Sequence, residues 1–113
     1  MRGLLLVSMV LACFSGIALA QGKSANVEAG AGVYRTNCVS CHGTKGKGDG
    51  PVAVHLTPPP ADLTSKTVKG KNDQDLLKII REGKPGTSMP AWKGGLSDQQ
   101  IQDVLAYIRT FGG

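Results

Sequence analysis

Cys38-Val39-Ser40-Cys41-His42 is the stretch of this 113-residue chain that decides how the rest is read. Two thiols three positions apart, with an imidazole directly after the second, suit few chemistries. Cysteines this close together make a poor disulfide scaffold. A structural zinc site built on Cys38, Cys41 and His55 falls short of the four ligands such sites take, and His42 is held beside Cys41 in the sequence. A thioredoxin-like redox pair needs strands of a βαβ unit around it, and no strand pattern is visible. The C-x-x-C-H order is instead the signature of c-type haem attachment. At this spacing Cys38 and Cys41 reach the two vinyl groups of a porphyrin as thioethers, and His42 turns its imidazole to the iron from the proximal side.

Upstream, residues 1–20 read as a cleavable export leader. Arg2 gives a short positive start, Leu4 to Ala20 is largely apolar, and Ala18-Leu19-Ala20 is an A-x-A cleavage site. The run is too short, and too rich in small residues at its end, for a transmembrane span. Cleavage after Ala20 leaves one domain over residues 21–113, delivered to the periplasm, where such haem attachment takes place. Val10-Leu11-Ala12-Cys13 loosely resembles a lipoprotein cleavage site, which would make Cys13 a lipidated N-terminus. Phe14 and Ile17 would then form an unusually greasy tether, so soluble export is the preferred reading.

Losing the leader sharpens the composition. Cys13, Met1 and Met9 go with it, so Cys38, Cys41 and Met89 are the sulfur-bearing residues that stay. The remaining aromatics are Tyr34, Trp92, Tyr107 and Phe111. A chain this small excludes multidomain enzymes and buries little of its own apolar surface. Small exported domains compensate with disulfides, a metal or another staple, and a covalently held haem is such a staple.

Three main helices are expected. The first runs from about Ala25 into Asn37, with Ser24 or Asn26 as N-cap. The second opens at Asn72, carries Asp73 and Asp75 where the helix dipole favours negative charge, and presents Leu76, Leu77, Ile79 and Ile80 before Gly83 stops it. The third begins with the capping box Ser97-Asp98-Gln99-Gln100, stapled by Leu96 and Ile101. Ile101, Val104, Leu105 and Ile108 give it one apolar face, and Gly112 ends it. Between the first two helices, Gly43 to Lys71 is long for a structureless connection and needs something to wrap. The run Gly43 to Gly50 lacks the Gly-Lys-Ser/Thr ending of a phosphate loop and reads as a flexible, solvated turn.

An iron held by His42 has one more axial position. The candidates are Met89, His55, a lysine, or nothing. Met89 sits in the turn-rich Gly86-Thr87-Ser88-Met89-Pro90, far enough along the chain to come round the other haem face, and off any helical spacing that would make it simple core filling. His55 reads more simply as a polar loop residue.

With these residues in hand, the chain resembles the small bacterial class I c-type cytochromes, the monohaem cytochromes c. The features carrying the resemblance are Gly30 and Tyr34 ahead of the haem motif, Gly50-Pro51 after it, Met89-Pro90 on the far loop and Tyr107 near the end. The resemblance implies an all-α cytochrome c fold, three main helices with long loops around one haem c. It implies that Gly30 lets the first helix cross closely against the last near Tyr107, that the Pro51 carbonyl accepts from Nδ1–H of His42, and that Trp92 packs near a haem edge.

His/Met ligation fills both axial sites and raises the reduction potential. The expected function is therefore an electron-transfer carrier and not an enzyme. The alternative of a gas-binding or peroxidatic haem protein requires the Met89 side to open, and no distal histidine–arginine pair is evident. A fixed cytochrome subunit of a dehydrogenase or oxidase complex is the other alternative to a monomeric carrier. Lys45, Lys47, Lys66, Lys69, Lys71, Lys84 and Lys93 flank the haem-binding segments, as a solubilising surface or as a basic rim that steers acidic redox proteins. Nucleic acid is excluded as a partner by export and by the lack of aromatics among the basic residues.

Overall fold

The computed structural model describes residues 24–112, together with Ala12, Cys13 and Gly16. The rest of the leader, with its expected cleavage site, lies outside the described residues. Those residues form five helices: α1 (Val27–Asn37), α2 (Val39–His42), α3 (Lys66–Lys69), α4 (Asp73–Glu82) and α5 (Asp98–Ile108), with a 3-10 turn at Ala53–His55. The only β-type pairing among them is an isolated bridge between Lys93 and Leu96.

The caps explain where the helices begin. Asn26 accepts from Ala29 N at the start of α1, and Asn72 accepts from Asp75 N at the start of α4. Ser97 and Gln100 form the reciprocal capping box of α5. At its other end α5 stops at Ile108, short of Gly112. The reason is a tightened exit: Thr110 N donates to Tyr107 O and Phe111 N to Ile108 O. These i→i−3 bonds wind the chain tighter and swing Phe111 into the core. The single turn of α3 was not anticipated; its signal is Ser65, which caps it by accepting from Val68 N.

Helices α1 and α5 cross in direct contact, and Gly30 is the reason they can. A Cβ there would collide with the Asp103 carbonyl, 2.5 Å from its carbon and 3.0 Å from Val104 N. Below the crossing, Tyr34 is fully buried against Tyr107 and Phe111, with ring centroids 5.3 and 5.1 Å away. Edge-on and tilted geometries of this kind favour aromatic pairs. Its hydroxyl donates to Gly43 O at 2.6 Å, and burial pushes the phenol well above its ordinary range. The rest of the core is Leu76, Leu77 and Ile80 of α4 against Ile101, Val104 and Leu105 of α5.

The glycine-rich run departs from the expected solvated turn. Gly43, Gly46 and Gly50 are buried. Gly46, at φ +75°, lies under the Phe111 ring, where a Cβ would come within 2.6 Å of it. Gly46 serves close packing against Phe111, just past α5, and Gly50 against the Val39–Ser40 backbone of α2, which the lysines along the run conceal in the sequence.

Candidate functional site

The C-x-x-C-H motif becomes one tight turn of helix. Cys38 N continues the α1 ladder by donating to Tyr34 O, and His42 N donates to Cys38 O at 2.9 Å. Gly43, at φ +82°, then turns the chain away. The returning loop is pinned beneath this turn by Gly50 N to Cys41 O and Val52 N to Ser40 O, both at 3.0 Å. Position 50 must be small, because a Cβ would sit 2.5 Å from Ser40 C and Val39 O.

On the far side, α4 ends at Gly83 and the chain folds back under its own helix. Trp92 N donates to Ile80 O at 3.0 Å and Lys93 N to Arg81 O at 3.1 Å. This return carries Met89 into the lining of a cavity of about 480 Å³. Cys38, Cys41, His42 and Met89 all line that cavity, among Leu56, Leu63, Val68, Leu76, Ile79, Ile80, Trp92, Val104, Leu105 and Ile108. Its size is that of a cofactor site, and its mostly apolar lining with few polar groups is the usual character of one.

Both cysteines are free thiols. Burial, with Cys41 beside it, pushes the Cys38 thiol up to about 11. A thioredoxin-like pair needs a βαβ frame around it, and the described residues form helices with no strand beside the motif. Burial also lowers the His42 pKa, opposed by a hydrogen bond to the Ala61 carbonyl. That carbonyl can only accept, so Nδ1, 3.0 Å from it, carries the proton. Nε2 keeps a lone pair.

The partner of His42 is a correction to the expected Pro51 carbonyl. Pro51 is exposed and held in the turn beneath α2. The longer excursion from Val52 to Pro60 returns across the imidazole instead, fixed by Leu63 N to Gly46 O at 2.6 Å. The acceptor is a backbone atom whose place depends on the loop path, so no side chain announced it.

The other expected residues divide clearly. Trp92 lines the cavity and is half-buried. His55 is exposed on the 3-10 turn and is not among the lining residues. The seven lysines are exposed, and Lys71 and Lys84 reach the cavity lining. Among the described lining residues His42 is the one histidine and there is no arginine. A borderline imidazole nitrogen, a thioether sulfur and two thiols against an apolar space fit haem iron and its vinyl groups. They do not make a hard-cation site, and no cluster of three or more His, Cys, Asp and Glu able to hold a bare metal ion occurs among the described residues. No helix among them is long and apolar enough to cross a membrane.

A family model for cytochrome c oxidase, cbb3-type, subunit III matches residues 25–108. The chain is 35% identical to the cbb3-type cytochrome c oxidase subunit FixP of Bradyrhizobium sp. (strain ORS 278), over 88% of this chain and 31% of that one. It therefore spans about a third of that relative. Cytochrome c6 of Limnospira maxima is 34% identical over 74% of this chain and 90% of its own length. Among solved structures, cytochrome c6 from the diatom Phaeodactylum tricornutum superposes with a TM-score of 0.56 at 27% identity, covering 74% of this chain and 90% of that one.

Proposed function

The chain belongs to the family of c-type cytochromes that includes subunit III of the cbb3-type oxidases, and from that premise we propose that it is an exported monohaem carrier whose single haem c is held by Cys38, Cys41, His42 and Met89. Its fold is the all-α cytochrome c fold, and electron transfer is its function. One observation supports the finer reading most: two thiols, a neutral imidazole and a thioether line one apolar cavity of about 480 Å³.

Haem c supplies a one-electron ferrous/ferric couple when bound. Cys38 and Cys41 would hold the group covalently as thioethers, each thiol adding across a vinyl double bond with its proton passing to the neighbouring carbon, a redox-neutral attachment. His42 would hold the iron through Nε2 while Nδ1–H stays on Ala61 O, a hydrogen bond that fixes the ring and strengthens the donor. Met89 would offer its thioether as the second ligand, and the same two ligands would serve both oxidation states. Leu76, Ile80, Val104 and Leu105 line the cavity and keep water from it. With His42 and Met89 as its two ligands, the iron would keep no standing vacancy for oxygen, peroxide or another substrate, which favours a carrier over an enzyme.

The exposed lysines suit docking against acidic surfaces of redox proteins. A second reading, permanent docking on a larger redox complex, is favoured by the family match to an oxidase subunit. Periplasmic delivery with cleavage after Ala20 completes the proposal, leaving residues 21–113 as the carrier domain. The intact mass of the exported protein tests the covalent part. One haem added to a chain beginning at Gln21 is the expected value; an unmodified chain, or one beginning at a lipidated Cys13, contradicts it. The carrier part is tested by the rate of electron exchange with an acidic redox protein, which falls steeply as salt screens the attraction. A salt-independent rate overturns the steering.

A further inference from the structure

The segment that brings Met89 to the cavity is closed by a single side chain, Thr87. Lys84-Pro85-Gly86-Thr87 forms a turn in which Thr87 N donates to Lys84 O at 3.2 Å and Gly86 takes φ +77°. Proline followed by a left-handed glycine is the sequence of a type II turn. The hydroxyl of Thr87 then does two things. It donates to the same Lys84 carbonyl at 2.7 Å and accepts the backbone N–H of Met89 at 3.2 Å. The Met89 amide is thereby tied through one hydroxyl to the first residue of the turn. Thr87 itself lines the cavity and is half-buried.

We propose that Thr87 is the positioning residue for the Met89 ligand, its hydroxyl relay setting how often the thioether leaves its place in the cavity. The inference rests on the reading of Met89 as the distal ligand. The local arrangement gives the reason. Ser88 and Pro90 are exposed on either side of Met89, while the Met89 side chain packs partly against the core. Beyond the relay, the other hydrogen bond on the Met89 backbone is a long one from Lys84 N to its carbonyl, at 3.4 Å. Segments held by few strong hydrogen bonds open most readily, and here the hydroxyl supplies the shorter tie. Valine matches threonine in shape and lacks the hydroxyl, whereas serine keeps it.

Carbon monoxide, which competes for the methionine position on reduced haem, reads out this opening. Holoproteins carrying Thr87→Val, Thr87→Ser, Thr87→Ala and Met89→Ala are compared with the unaltered chain by CO association and by the far-red methionine–iron charge-transfer band of the oxidised form. Thr87→Val and Thr87→Ala are expected to bind CO about tenfold faster, the size of a loop equilibrium shifted by 1.4 kcal/mol. Thr87→Ser is expected to stay within about twofold of the unaltered chain, since the relay that sets the opening equilibrium is kept. A role confined to general stability would lower the unfolding temperature without moving CO association or the band, and that result overturns the proposal. Met89→Ala separates the two claims. If the unaltered chain has the band and Met89→Ala loses it, the ligand reading stands and the Thr87 variants judge the relay. If Met89→Ala keeps the band, the ligand reading falls first and takes the relay with it.

Discussion

Replacing Gly30 by alanine should destabilise this protein, although alanine is the better helix former. In an isolated helix the exchange favours the folded form by about 1 kcal/mol. At the α1–α5 crossing the new Cβ meets the Asp103 carbonyl carbon at 2.5 Å and Val104 N at 3.0 Å. Those atoms are backbone and cannot rotate aside. Restoring ordinary carbon contacts needs the helices to part by roughly 1 Å. That opening loosens Tyr34, Ile101 and Val104, all buried at the crossing, and strains the bond from Asn26 N to the buried Asp103 carboxylate. Overpacking of this kind costs about 1–3 kcal/mol. Set against the propensity gain of about 1 kcal/mol, this leaves a net loss near 1 kcal/mol, or roughly 4–8 °C in the unfolding temperature of a domain this size. Gly32 is the internal control. It lies in the same helix with nothing within 4 Å of a Cβ, so Gly32→Ala should gain up to about 1 kcal/mol. Thermal unfolding of the two holoproteins, followed by circular dichroism, measures both. Shifts of the same sign and similar size would refute the close-crossing argument.

Other consequences follow from single contacts. Tyr34→Phe removes the hydroxyl from Gly43 O in a fully buried place, and guanidinium unfolding should show a loss of about 1–3 kcal/mol. Arg109 joins the end of α5 to the α3–α4 connection through Lys69 O, Lys71 O and the Asp73 carboxylate. Because its side chain is 30% exposed, Arg109→Gln should cost only about 1 kcal/mol. Its clearer signature is faster amide exchange across residues 66–72, with the other helices unchanged. The Thr64 side chain, then its backbone N–H, holds the Asp62 carboxyl below the usual carboxylate range. A lowered folded-state pKa contributes stability above the unfolded value, about 4, and loses it as pH falls through the folded one. The stability difference between the unaltered chain and Asp62→Asn should therefore shrink on acidification below about pH 4, as acid titrations of unfolding will record.

The helices were legible because their signals are local. Asn72 with its two aspartates, the Ser97–Gln100 box and the Ile101, Val104, Leu105 face act within a few residues of themselves, and α4 and α5 begin where those signals point. Gly30 was legible through the resemblance alone; composition gives no reason for a glycine in mid-helix. Cys38, Cys41, His42 and Met89 could be named because few sulfur and imidazole groups were available, and all four line the same cavity. What escaped was set by distant backbone. The Ala61 carbonyl reaches His42 because the loop from Val52 to Pro60 is long enough to overshoot Pro51. Gly46 looked solvated beside Lys45 and Lys47 until Phe111 turned onto it after the tightened end of α5. Thr87 looked like one more turn residue, since its two hydrogen bonds exist only once the Met89 loop has closed.

The central claim is that His42 and Met89 occupy both axial positions of one haem c in this cavity. It is met most directly by the visible spectrum of the dithionite-reduced protein, made in cells competent for haem attachment, with and without carbon monoxide. A sharp low-spin c-type spectrum that the gas leaves largely unmoved is the predicted result. Ready and complete conversion to a carbonyl complex would contradict it and give the gas-binding reading precedence, and a protein with no haem spectrum would contradict the assignment of the cavity itself.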